Sequence, residues 1–233
     1  MHGGGNPPWI NIDGRKIFLC MKYNFFYLTY IMQALILLTA VYSFHIGYYP
    51  GTFFGLVAVG LSLIPTLVHR KVPIVVPWEV TFLIALTLFL HIAGYSYYWY
   101  VDFYPYYDKF TRLIASMTVA LLGFLAVLII MRVGSGLQFK PWHIFFFIVI
   151  FTLAFGVLWE IWEFTLNSLA GAYLTEPLQQ NNTDTMLDLI ADLCGGILIA
   201  FLGTLYLKRK CACNWADIVL EPEFEKIAVR FQR

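Results

Sequence analysis

The sequence predicts an all-α fold, a polytopic transmembrane helical bundle of about six spans. Three observations predict it. Hydrophobic residues make up 60% of the 233 residues and charged residues only 12%, with a mean hydropathy of +0.72. Apolar runs recur along the chain at the length a bilayer core requires, about 20 residues each. The connections between runs are short, which leaves no room for a separate soluble domain. No phosphate-binding glycine loop, classical nucleophile motif or nucleic-acid signature appears.

The elements follow in order. Residues 1–24 form an N-terminal tail: MHGGGNPPWINIDGRK carries glycine and proline where a signal peptide has its apolar core, so neither a signal nor a transit peptide is expected. The transmembrane domain, 25–207, contains expected spans at 25–46, 51–69, 75–96, 110–131, 142–170 and 185–207. The fifth is longer than a bilayer core requires, so it tilts or projects. Residues 208–233 form a second tail whose Trp215, Ile218 and Phe224 suit a membrane surface.

Orientation follows from the basic residues. Six spans place both termini on one side with the loops near 70–73 and 132–141, and that side collects 13 of the 15 basic residues. Lys109 and Arg112 belong to the other side. The positive-inside rule then puts both termini in the cytoplasm of a multi-pass plasma or inner membrane protein. Asp102, Asp108, Glu160, Glu163, Glu176, Asp184, Asp188 and Asp192 gather at the outer face. Cys20, Cys211 and Cys213 fall on the cytoplasmic side and Cys194 in the last span, so no disulfide framework is expected.

Five carboxylates inside spans carry the functional signal: Glu160 and Glu163 in GVLWEIWEF, and Asp184, Asp188 and Asp192 in DTMLDLIAD. An ionised side chain at the bilayer centre costs at least about 2.5–3.5 kcal/mol. Spacings of three and four place each set on one helix face, and neighbouring antiparallel spans bring the two faces together. Converging oxygen ligands suit a hard divalent cation. Glu160, Glu163, Asp188 and Asp192 are therefore the expected ligands of Mg, Mn, Zn or Ca. Asp184 or His91 is the expected proton-transfer group, and Asp108, Lys109 and Arg112 the expected substrate-binding residues. His45 and His91, at outer span ends, offer nitrogen ligands.

Simpler roles compete. Asp184 suits the N-cap of its helix, and the acids can pair with Lys109 and Arg112 in a structural network. The aromatic run GYSYYWYVDFYPYY at 94–107 is expected as an interfacial belt, with a wall over the acidic basin as the alternative. Gly195, Gly196, Ala200 and Gly203 are expected as close-packing positions.

Three blocks carry a family likeness: HIAGYSYYW at 91–99, YDKFTRLIASMTVALLGF at 107–124, and GVLWEIWEF through PLQQNNTDTMLDLIADLCGG at 156–196. They resemble the YjdF-like family of membrane proteins and, more distantly, VanZ-like proteins. The resemblance implies a helical bundle of six or a similar number of spans and supplies no activity. It also implies histidine at position 112 and an acid at 167, where this chain has Arg112 and Asn167. A guanidinium stays protonated and is no metal ligand; it suits a phosphate or a carboxylate partner.

The expectation is thus a metal-assisted enzyme acting on a lipid or lipid-linked substrate from the outer side. Membrane lipid is the expected partner and nucleic acid is not. A cation- or proton-coupled transporter, or an accessory membrane subunit, is the alternative.

Overall fold

The computed structural model describes residues 13–71, 78–133, 139–170 and 181–209, with side chains for 27–65, 67, 78–131, 139–169 and 181–207. Among these are seven helices and no strand: α1 Asp13–His45, α2 Tyr49–Lys71, α3 Trp78–Ser96, α4 Trp99–Asp102, α5 Tyr106–Val133, α6 Pro141–Ala170 and α7 Asn182–Arg209. The C-terminal tail beyond Arg209, with Cys211 and Cys213, lies outside the described residues. So do residues 1–12, the Cys20 side chain, and the side chains of all the basic residues that set the orientation except Lys140.

Five helical segments are long and apolar enough to cross a membrane: Tyr27–His45, Trp78–Ser96, Tyr106–Met131, Pro141–Leu169 and Asn182–Leu207. The expected span 51–69 falls within α2, whose described apolar part, Tyr49–Pro65, is shorter. The whole helix has 23 residues, or about 34 Å of rise. Helix α1 begins at Asp13, inside the segment assigned to the tail. Helix α5 begins at Tyr106 and α7 at Asn182, both earlier than expected. These early starts bring Asp108, Lys109 and Asp184 onto regular helix.

The helices pack as two groups of three. Helices α1, α2 and α3 pack on one another, as do α5, α6 and α7, and α3 against α5 joins the groups. Large apolar side chains such as Leu38, Phe53, Ile150, Leu158, Phe164 and Ile190 face outward, as lipid-facing positions must. The second group closes over Ala120, Phe124, Val127, Leu128, Ile144, Ile148 and Ala200.

Small residues set the approach of α7. A Cβ on Gly195 would strike the Ser116 hydroxyl of α5. On Gly196 it would come within 3.2 Å of Thr152 on α6, and on Gly203 within 3.1 Å of Phe124. The glycines and Ala200 are close-packing positions, as their spacing on the last span suggests.

Two uncharged polar contacts tie the first group together among the described residues. Gln33 donates to the Ser62 carbonyl at 3.0 Å, and the Ser43 and Ser96 hydroxyls meet at 2.8 Å. Between the groups, Thr87 and Thr118 share a hydrogen bond of 3.0 Å. The described charged cluster belongs to α5, α6 and α7.

Candidate functional site: a charged cluster between three helices

Helix α5 supplies the cations. Lys109 and Arg112 are three apart, so both lie on one side of its first turns. The Lys109 ammonium donates to three carboxylates: Asp108 Oδ2 at 2.8 Å, Asp184 Oδ1 at 2.6 Å and Asp188 Oδ1 at 2.8 Å. An ammonium has three N–H donors, and all three are used. One oxygen from each of these aspartates lies within 4.8 Å of the others.

Helix α7 supplies a ladder of acids. Its N-cap is Asn181, whose Oδ1 accepts the Asp184 N–H at 3.0 Å. That frees the Asp184 side chain for Lys109, so the capping role considered for Asp184 belongs to Asn181. Asp184, Asp188 and Asp192 then follow at four-residue steps, all buried. Asp188 bridges the two bases: its Oδ1 faces Lys109 and its Oδ2 lies 3.4 Å from Arg112.

Helix α6 supplies Glu160 and Glu163. The Arg112 guanidinium pairs closely with Glu160 and reaches Glu163 Oε2 at 3.9 Å. Trp159 Nε1 donates to Glu163 Oε1 at 2.8 Å, holding that carboxylate from one turn away. Asp192 sits lower, against the bare backbone of Gly156, where a Cβ would overlap its carboxylate. Asp192 is 3% exposed, and its Oδ2 is buried with no hydrogen-bond partner.

An aromatic layer closes the neighbouring side. The His91 ring stands edge-on to Trp159 at 5.5 Å and to Tyr100 at 6.3 Å. Tyr100 and Tyr107 lie on Gly94, where a Cβ would come within 2.5 and 2.7 Å of their rings. The Tyr100 hydroxyl bonds Thr111 at 3.2 Å, and Tyr107 donates to the Leu90 carbonyl at 2.7 Å. Burial pushes the Tyr100 phenol well above its usual range, so it stays neutral. The aromatic run is thus divided: Tyr95, Tyr100 and Tyr107 wall the cluster, while Tyr98, Phe103, Tyr104 and Tyr106 face outward.

The expected residues converge, in a different grouping. Of the expected ligands Glu160, Glu163, Asp188 and Asp192, the first two lie at Arg112, Asp188 bridges, and Asp192 stands apart. The three-acid group is Asp108, Asp184 and Asp188. Lys109 and Arg112, expected to meet a headgroup, are engaged by acids. His91 adjoins the cluster through Trp159, whereas His45 is exposed at the end of α1. Sequence reasoning passed over Trp159, Gly156 and Asn181. The helical spacing of four from Trp159 to Glu163 and from Gly156 to Glu160 carried the signal for two of them.

Six carboxylates therefore share two bases, four negative charges in excess when all are ionised. At about 2.5–3.5 kcal/mol or more each, such a surplus rivals the entire stability of a domain. Bound cations or protons must offset it. The cluster can hold a cation or pass protons, and Arg112 cannot act as a base.

Fold and cluster together define a multi-pass helical membrane protein with a charged site inside the bundle. The family model described as "Predicted membrane protein (DUF2238)" matches residues 27–209, and the chain belongs to that family. The match lends no support to the VanZ-like likeness. Comparison with curated proteins and with solved structures gave no match.

Proposed function

We propose that the chain is a metal-assisted enzyme of the plasma membrane, acting on a lipid or lipid-linked substrate that carries phosphate. The observation that carries this is the three-aspartate group: three hard oxygens within 4.8 Å of one another, beside an arginine. Asp108, Asp184 and Asp188 hold the divalent cation, which supplies Lewis-acid chemistry at a phosphate oxygen. Arg112 and a displaced Lys109 orient the anion. With Asp184 taken up as a cation ligand, His91 is the proton-transfer group of the two expected candidates.

The family match fits the YjdF-like likeness, and α2, at 23 residues, is the additional span of a six-span bundle in this reading. Six spans, with the basic residues on the cytoplasmic side, turn the cluster outward. The more exposed mouth of the cluster supports access from that end: the Asp108 and Lys109 side chains are 28% and 22% exposed, against 5% for Asp188.

A second reading, proton or cation coupling in transport, is favoured by one feature. The aspartate ladder continues past the bases to the buried Asp192, as carboxylate relays in transporters do. Reconstituted protein incubated with native membrane lipids and Mn²⁺ distinguishes them. The enzyme reading expects a new lipid product by mass spectrometry, absent with Asp188→Asn. No product, together with a cation flux that Asp192→Asn abolishes, establishes transport instead.

A further inference from the structure

We propose that the cleft between α3 and α6 is a groove for the acyl chain of an aminophospholipid, whose ammonium docks at Glu163. The inference rests on the lipid reading above and names the lipid.

The two groups of helices leave the groove open. Helix α3 packs on α5 and α5 on α6, but no extended packing joins α3 to α6 among the described residues. The His91 and Trp159 rings meet across the gap at 5.5 Å. Helix α5 forms the floor. Ala115, Leu122 and Ala126 share the face between Thr118, which bonds Thr87 of α3, and Gly123, which lies against Phe151 of α6. The two alanines keep that floor low. One wall is an aromatic column on α6: Phe147, Phe151, Phe155 and Trp159 follow at steps of four, with ring centroids 5.7 and 4.8 Å apart along the first three. Phe147, Phe155 and Trp159 are 41%, 47% and 41% exposed, so the column is half open to a chain lying in the groove.

The depth matches an amphiphile. Lys140 and Trp142 are exposed at the start of α6, as interface anchors are. Glu163 stands about 33 Å along the helix axis from Pro141, and the hydrocarbon core is about 30 Å thick. The column therefore lies in the acyl region, and Glu163 at the headgroups of the far leaflet.

The charge at that level selects an amine. Glu163 Oε1 accepts the Trp159 N–H, while Oε2 faces Arg112 at 3.9 Å, beyond hydrogen-bond range. Arg112 is already matched by Glu160 and Asp188. An open carboxylate oxygen beside surplus acid attracts an N–H cation and repels an anionic headgroup. A primary ammonium can donate to Oε2, whereas a quaternary one has no N–H to give. An aminophospholipid also carries the phosphate that the enzyme reading needs.

The test is photolabelling of the full chain in nanodiscs of equal phosphatidylethanolamine, phosphatidylglycerol and phosphatidylcholine, with one lipid at a time carrying a diazirine on its acyl chain. The phosphatidylethanolamine probe is expected to label the segments 147–159 and 115–126 about tenfold more than the phosphatidylglycerol probe does, the scale of one charge-assisted hydrogen bond. Glu163→Gln, which leaves Arg112 its two nearer partners, is expected to erase the preference without moving the adducts. Leu122→Trp, which fills the floor and leaves the charged cluster intact, is expected to cut the labelling, and unchanged labelling overturns the groove. Adducts spread evenly over the lipid-facing helices, Phe53 of α2 included, overturn it as well. Groove segments free of adducts in a dimeric chain point to a second copy there and overturn the lipid. Equal labelling by all three probes overturns the ammonium site. Preferential labelling of a chain that yields no lipid product supports the groove and fails the enzyme reading alone.

Discussion

Arg112→Met is the perturbation that the cluster should resist least. Arg112 pairs with Glu160, lies 3.4 Å from Asp188 and 3.9 Å from Glu163, and its side chain is 8% exposed. Methionine preserves much of the stem and removes the charge. Glu160, Glu163 and Asp188 are then left in a dry interface, Glu160 and Asp188 buried and Glu163 14% exposed, with Lys109 serving only Asp188 among them. Breaking one partner of a buried pair costs about 3–5 kcal/mol, chiefly because the remaining charge is stranded. The assay is reversible unfolding in mixed SDS micelles, run as a double-mutant cycle with Glu160→Gln. The double variant should recover a substantial part of the loss, since its stranded carboxylate is gone. A loss under about 1 kcal/mol, the scale of an exposed pair, would refute the reasoning.

Three further outcomes follow from local geometry. Gly156→Ala forces the Asp192 carboxylate from its seat on α6 and should destabilise by about 1–3 kcal/mol, read by the same unfolding assay; unchanged stability would remove Asp192 from that seat. Tyr100→Phe deletes the hydroxyl contact with Thr111 and should cost about 0.5–1.5 kcal/mol in thermal melts, with Gly94→Ala, which displaces the same ring, costing more. Asn181→Ala removes the α7 cap and should cost about 1 kcal/mol, seen as faster hydrogen exchange in the first turn of α7.

Hydropathy made the helices legible because lipid-facing residues must be apolar wherever they lie in the chain. Spacings of three and four made the acidic faces legible, since helix geometry alone aligns Glu160 with Glu163 and Asp184 with Asp188 and Asp192. The partition of those acids was not legible. It depends on α5 starting early enough to place Asp108 and Lys109 on the same helix as Arg112, and on the depth at which α5 meets α6 and α7. The nearly continuous apolar run through 25–46 likewise gave no sign that α1 reaches back to Asp13. Asn181 rather than Asp184 caps α7 because a cap must precede the first helical residue, and the sequence NNTD offers four candidates.

The central claim is that the α5–α6–α7 acids form a cation site rather than a closed structural network. Elemental analysis of the detergent-purified chain after Mn²⁺ equilibration, beside a folded Asp184→Asn/Asp188→Asn variant, tests it most directly. The account predicts about one metal per chain in the native protein and none in the variant. Metal-free protein in both, with the variant as stable as the native chain, would contradict it.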